Sequence, residues 1–160
     1  MFDRILIAYD GSAESDMALR TGLDLAKALR SSAALVTVLE PLPGYISIAG
    51  SVAPELPTEM RHERRDHVEK LQSRASKLAE ERGVPLQTVL LEGAEVDSIL
   101  EAVRSAHADL LVVGLRRHAA AVQWAGTFRH IANESPCPIL AVSCHSEPGG
   151  KASQLQAAGE

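Results

Sequence analysis

The stretch Asp109–Val142, DLLVVGLRRHAAAVQWAGTFRHIANESPCPILAV, decides how this chain is read. Asp109–Val113 is an apolar run that stops at Gly114. A loop carrying Arg116, Arg117 and His118 follows, and Gly126-Thr127 then opens a short helical pattern, Thr127–Glu134. A second apolar run, Cys137–Val142, closes the stretch. Strand, cationic loop, glycine, hydroxyl and helix start are the parts of an anion-binding turn. In such a turn, backbone N–H groups and the positive end of a helix dipole face a phosphate.

Upstream, the same alternation repeats. Arg4–Tyr9 (RILIAY) is a strand, and Ser12–Arg30 is a helix with Ser12 as N-cap and Glu14 and Asp16 in its first turn. Ala18, Gly22, Leu25, Ala26 and Leu29 share one face of that helix. Ala33–Leu39 is the second strand. Pro41–Pro57 holds four prolines and two glycines and reads as a loop, long enough to suggest a lid or a partner contact. Thr58–Arg82 is a charged helix with an inner stripe of Val68, Leu71, Ala75, Leu78 and Ala79, stopped by Gly83. Pro85–Leu91 is a strand, and Glu95–Ser105 is a helix with Val96, Ile99, Leu100 and Val103 inward.

Five near-continuous apolar strands alternating with four helices imply an α/β fold. Its parallel sheet is covered on both faces and its crossovers are right-handed. The chain of 160 residues suits a single domain over 1–145, followed by a small, polar tail over 146–160.

Composition narrows the function. Lys+Arg number 16 against 21 Asp+Glu, a net charge of −5, which argues against a nucleic-acid partner. Aromatic residues are 3%, too few for base-stacking platforms. No apolar run reaches the roughly 20 residues that span a bilayer, and the start, MFDRILIAYDGS, lacks a signal-peptide layout. These readings point away from a membrane and toward the cytoplasm. Cys137 and Cys144 read as lying on one strand. Their odd spacing puts them on opposite faces, roughly 23 Å apart at about 3.3 Å per residue, too far to bridge within a subunit.

Ligands of open α/β sheets sit beyond the carboxyl ends of the strands, where the chain order reverses. Two strand ends are equipped for this, Tyr9-Asp10-Gly11-Ser12 and the loop after Gly114. If those strands are neighbours, Asp10 and the Gly114 loop flank one cleft. Asp10 then either accepts hydrogen bonds from a ribose or adenine amine, or caps the first helix alongside Ser12. Arg116 and Arg117 bind a phosphate by side chain or are solvated. Trp124 and Phe128 either pack beneath the loop or line the cleft. The six histidines form no metal set, since His62 and His67 do not share a helix face. No base is placed beside Ser12 to make a nucleophile. The segment His62-Glu63-Arg64-Arg65-Asp66, with its mixed signs, reads as a solvated face.

From Arg4-Ile-Leu-Ile-Ala-Tyr-Asp-Gly-Ser to Ser135-Pro136-Cys137-Pro138-Ile139-Leu140-Ala141-Val142 the chain resembles the universal stress protein family. The resemblance implies a Rossmann-like sheet, similar to the adenine nucleotide alpha hydrolase folds, in the strand order 3-2-1-4-5. It also implies a homodimer joined through the last strand, Cys137–Val142. Members that bind ATP carry Gly, two residues, Gly, nine residues, then Gly-Ser or Gly-Thr. Carried over, the nucleotide positions are Asp10, Val38, Gly114, Gly126 and Thr127, with Ala8, Tyr9, Arg116, Arg117 and Phe128 beside them. The sequence departs from the motif twice: Arg117 stands at the second glycine, and eight residues, His118–Ala125, replace nine. Glycine there permits positive φ and close backbone approach to phosphate, which arginine does not readily allow.

The function expected on this basis is binding of ATP or another adenine nucleotide, with Mg²⁺ only alongside it, as a sensor or regulator in a stress response. The chain shows no general base, so any ATP hydrolysis is slow and incidental. The alternative is a dimeric interaction module of the same family that binds no nucleotide.

Overall fold

A computed structural model of the chain describes residues 1–41, 56–115 and 127–144. Its strands are β1 (Arg4–Ala8), β2 (Ser32–Leu39), β3 (Leu86–Glu92), β4 (Leu110–Gly114) and β5 (Ile139–Val142). The helices are α1 (Ala13–Leu29), α2 (Leu56–Arg82), α3 (Glu95–Ser105) and α4 (Thr127–Glu134). The strands form one sheet in the order β3-β2-β1-β4-β5, every pair parallel. This is the order the resemblance implied.

Side chains alternate across a strand, so each apolar run feeds two cores. Ile5, Ile7, Tyr9, Leu35, Leu110 and Val112 face α1 and α2, where they meet Leu19, Leu23, Ala26, Ala75 and Ala79. Leu6, Val36, Leu111 and Val113 face the other way, onto Ile99, Leu100 and Val103 of α3 and Ile131 of α4. Burying each Leu or Ile contributes about 1.5–3 kcal/mol, and a strand packed on both faces needs no polar alternation. Hence the continuous apolar runs.

The element bounds shift where backbone chemistry requires it. Proline has no N–H for a ladder, so β3 begins after Pro85 and β5 after Pro138, whose carbonyl accepts the Leu111 N–H at 3.0 Å. β5 is therefore shorter than Cys137–Val142, and both cysteines flank it as free thiols. Helix α2 begins at Leu56, inside the stretch read as a loop, because a proline such as Pro57 is tolerated in a first helical turn. The remainder of that loop, 42–55, and the tail lie outside the described residues. Gly83, at φ +69°, ends α2, and the Val84 N–H reaches back to the Ala79 carbonyl at 3.0 Å.

The buried face of α1 includes Ser15, Leu19 and Leu23 besides Ala18, Gly22 and Ala26. Leu25 and Leu29 are only half-buried, so the inner stripe is rotated from the one read in the sequence. At the opposite end of the sheet, Asp109 clamps two strand starts. Its carboxylate accepts the N–H groups of Asp3 at 2.8 Å and Arg4 at 2.9 Å. Desolvation pushes this carboxyl up, but the backbone hydrogen bonds outweigh it and hold the group below its ordinary range.

Candidate functional site

The sequence order reverses between β1 and β4. Those strands pair in register from Ile5↔Leu110 to Ile7↔Val112, so their carboxyl ends are neighbours at the switch point. The strand ends that lead to Asp10 and Gly114 are therefore adjacent.

On the β1 side the chain turns through Tyr9–Ser12 under close control. The Ser12 N–H donates to Asp10 Oδ1 at 2.9 Å, and Ser12 Oγ caps α1 by accepting the Ser15 N–H at 3.2 Å. Ser15, buried at this corner, donates its hydroxyl to the Ser12 carbonyl at 3.0 Å. Its oxygen also accepts the Asp10 N–H at 3.4 Å. Gly11 sits at φ +79°, and a Cβ there would come within 2.7 Å of Leu71. Asp10 thus orients the helix start, as one of its two readings required, and remains exposed at the rim.

On the β4 side, Gly114 pairs with Val142 and packs onto α1. A Cβ at Gly114 would lie 2.6 Å from the Glu14 carbonyl carbon and 2.6 Å from the Ser15 nitrogen. The glycine is required here by helix–strand contact. It brings the departure point of the β4 loop against the N-terminal turn of α1. Cys144, just past β5, adds a third segment, its thiol donating to the Ala13 carbonyl at 3.3 Å.

The candidate residues divide between the two faces of the sheet. Ala8, Val38 and Phe128 all pack against the α3–α4 core, each half-buried, on that one face of the sheet. Tyr9 turns the opposite way. Its hydroxyl donates to Asp16 Oδ1 at 2.7 Å, and Asp16 Oδ2 receives Arg74 at 2.6 Å. Burial first, then the bond to Asp16, push the Tyr9 phenol up to about 12. Its side chain is committed to the α1–α2 joint, so only its backbone is at the rim. Thr127 opens α4 through its backbone. Arg116, Arg117, Trp124 and Gly126 lie outside the described residues.

Sequence reasoning missed the Tyr9–Asp16–Arg74 chain and the role of Ser15. The second had a visible signal, a hydroxyl three residues after the Ser12 cap. The first joins residues far apart in sequence and had none.

The profile of the Universal stress protein family matches residues 1–143. A universal stress protein of Thermus aquaticus is 33% identical over 145 residues, covering 89% of this chain and 99% of that protein. A universal stress protein family structure from Arabidopsis thaliana with AMP bound superposes with a TM-score of 0.67 at 17% identity, over 90% of this chain and 93% of that one. The universal stress protein of Archaeoglobus fulgidus in complex with dAMP gives 0.63 at 17% identity, over 89% and 98%.

Proposed function

The chain belongs to the universal stress protein family, and from that premise we propose that it binds an adenine mononucleotide where β1 and β4 end together. We further propose that it acts in the cytoplasm as a nucleotide-responsive regulator in a stress response. The observation that carries this reading is the pairing of β1 with β4, which sets Asp10, Gly114 and the α1 N-terminal turn at one rim. The half-buried Ala8, Val38 and Phe128 suit an adenine ring, which needs an apolar floor. Asp10, exposed at the rim, suits a ribose hydroxyl, since a carboxylate accepts several hydrogen bonds. The relatives with AMP and dAMP bound support an adenine nucleotide as the ligand class. In this reading Gly126, Thr127, Arg116 and Arg117 meet the phosphates, with Mg²⁺ entering only alongside ATP.

Calorimetry of the full chain with AMP, ADP and ATP, with and without Mg²⁺, tests the proposal. Binding tighter than about 1 mM is expected, weakened about tenfold by Gly126→Val, which blocks amide approach to phosphate. A folded protein that gives no binding in that range loses the reading.

One observation favours a second reading, a dimeric module that binds no nucleotide. The space beside Gly114 is filled by α1 itself, and Arg117 stands at the motif's second glycine. On this reading the β5 edge (Ile139–Val142), half-buried throughout, pairs with a second copy. A dimer that purifies without nucleotide, and whose melting temperature ignores ATP, is its signature.

A further inference from the structure

Over residues 59–66, helix α2 sorts its charges in a way the sequence order conceals. At about 100° per residue, Arg61, His62, Arg64 and Arg65 fall within an arc of about 160°, and Glu59, Glu63 and Asp66 fall on the arc opposite. Arg61, His62 and Arg65 of this arc are exposed and Arg64 is half-buried. The four side chains border an open groove of about 690 Å³, across from the ends of β2 and β3, including Glu40, Glu92 and Gly93. A helix solvated on all sides gains from mixing signs at i, i+4. A cationic arc set along a groove suits an anion.

Three arginines face two glutamates in this groove. Glu92 is held by Arg65 at 3.3 Å. Arg61 and Arg64 form no ion pair among the described residues, and Arg64 is half-buried. The groove's volume lies within the roughly 300–1,000 Å³ typical of small-ligand sites, and planar guanidinium forks match phosphate oxygens two at a time. The groove lies on the β2–β3 side of the sheet; its Leu39 follows Val38 but by strand alternation takes the opposite face of β2.

We propose that this groove is a second binding site, for a small anion bearing two or more phosphate groups. Arg61 and Arg64 are its principal ligands, and Arg65 is released from Glu92 as the anion enters.

The probe is inorganic tripolyphosphate, titrated into the full chain by calorimetry and by amide NMR. In the unsubstituted protein, shifts should concentrate at Arg61–Arg65 and at Glu92-Gly93. The double variant Arg61→Gln/Arg64→Gln should bind at least about tenfold more weakly, while Arg20→Gln, outside the groove, should leave affinity unchanged. AMP binding should be the same in all three proteins, which separates this site from the nucleotide rim. Undetectable tripolyphosphate binding at about 10 mM, unchanged affinity in the double variant, or shifts confined to Asp10–Ser15 and Gly114 would overturn the proposal. Hexaglutamate binding the groove more tightly than tripolyphosphate would also overturn it, in favour of an acidic peptide. The NMR map keeps the test decisive if the double variant misfolds.

Discussion

Gly114 does two jobs through one missing methyl group. It lets β4 approach the first turn of α1, and it fixes where the following loop departs. Gly114→Ala would push α1 off the sheet, because the obstruction is backbone and cannot rotate aside. The expected loss is about 1–3 kcal/mol, read from denaturant midpoints at unchanged m-value. A neutral result would mean the contact relaxes freely. Thr37 makes the opposite case. It is buried on β2, and its hydroxyl has no hydrogen-bond partner among the described residues. An unsatisfied buried hydroxyl costs about 1–3 kcal/mol, and valine matches threonine in shape. Thr37→Val should therefore raise the melting temperature; a lowered one would show that the hydroxyl is in fact served. Gly114 was legible in the sequence as a strand terminator, but the reason for the glycine was not, because the atoms that exclude a side chain belong to residues about a hundred positions earlier.

At the scale of elements, two polar devices join pieces that the sequence leaves separate. Asp109 ties the starts of β1 and β4 by accepting the N–H groups of Asp3 and Arg4. Its folded-state pKa is depressed, so its contribution is present above the unfolded-state value and is lost as pH falls through the folded one. Asp109→Asn should lower stability near neutrality and flatten its decline in acid. Parallel acid-unfolding curves for the two proteins would refute the clamp. The Tyr9–Asp16–Arg74 chain joins β1, α1 and α2. Tyr9→Phe should cost about 1 kcal/mol while leaving AMP affinity intact, because the phenol faces away from the rim. Altered affinity would place Tyr9 in the site after all. These elements were readable as elements: Glu95–Ser105 and Thr127–Glu134 stand within the bounds that periodicity gave them. Bounds moved by one residue at β1, β2 and β4, and others moved where prolines lie. Pro85 displaces β3 by one residue, Pro138 shortens β5, and Pro57 admits a helix where a loop was read.

For the whole molecule, the two sheet faces and the two ends carry different work. On the α1–α2 face Tyr9 joins the Asp16–Arg74 ion pair, on the α3–α4 face Ala8, Val38 and Phe128 are half-buried, and at the β2–β3 corner three arginines border a groove. Assembly is tested at the same scale. Native mass spectrometry over a dilution series should give a dimer if β5 pairs with a second copy, and a monomer throughout would remove that interface.

The sequence by itself determined the class of fold and the family, because alternating apolar runs and helical stripes are local patterns that survive without coordinates. It also carried both strand-end turns, since Asp10-Gly11-Ser12 and Gly114 are chain punctuation. Only the tertiary arrangement shows which strand ends meet, which face Ala8, Tyr9, Val38 and Phe128 take, and which charges of α2 border the groove. Each of these depends on a distance between residues remote in the chain. Periodicity reports direction around one element; it holds no information on what another element places opposite.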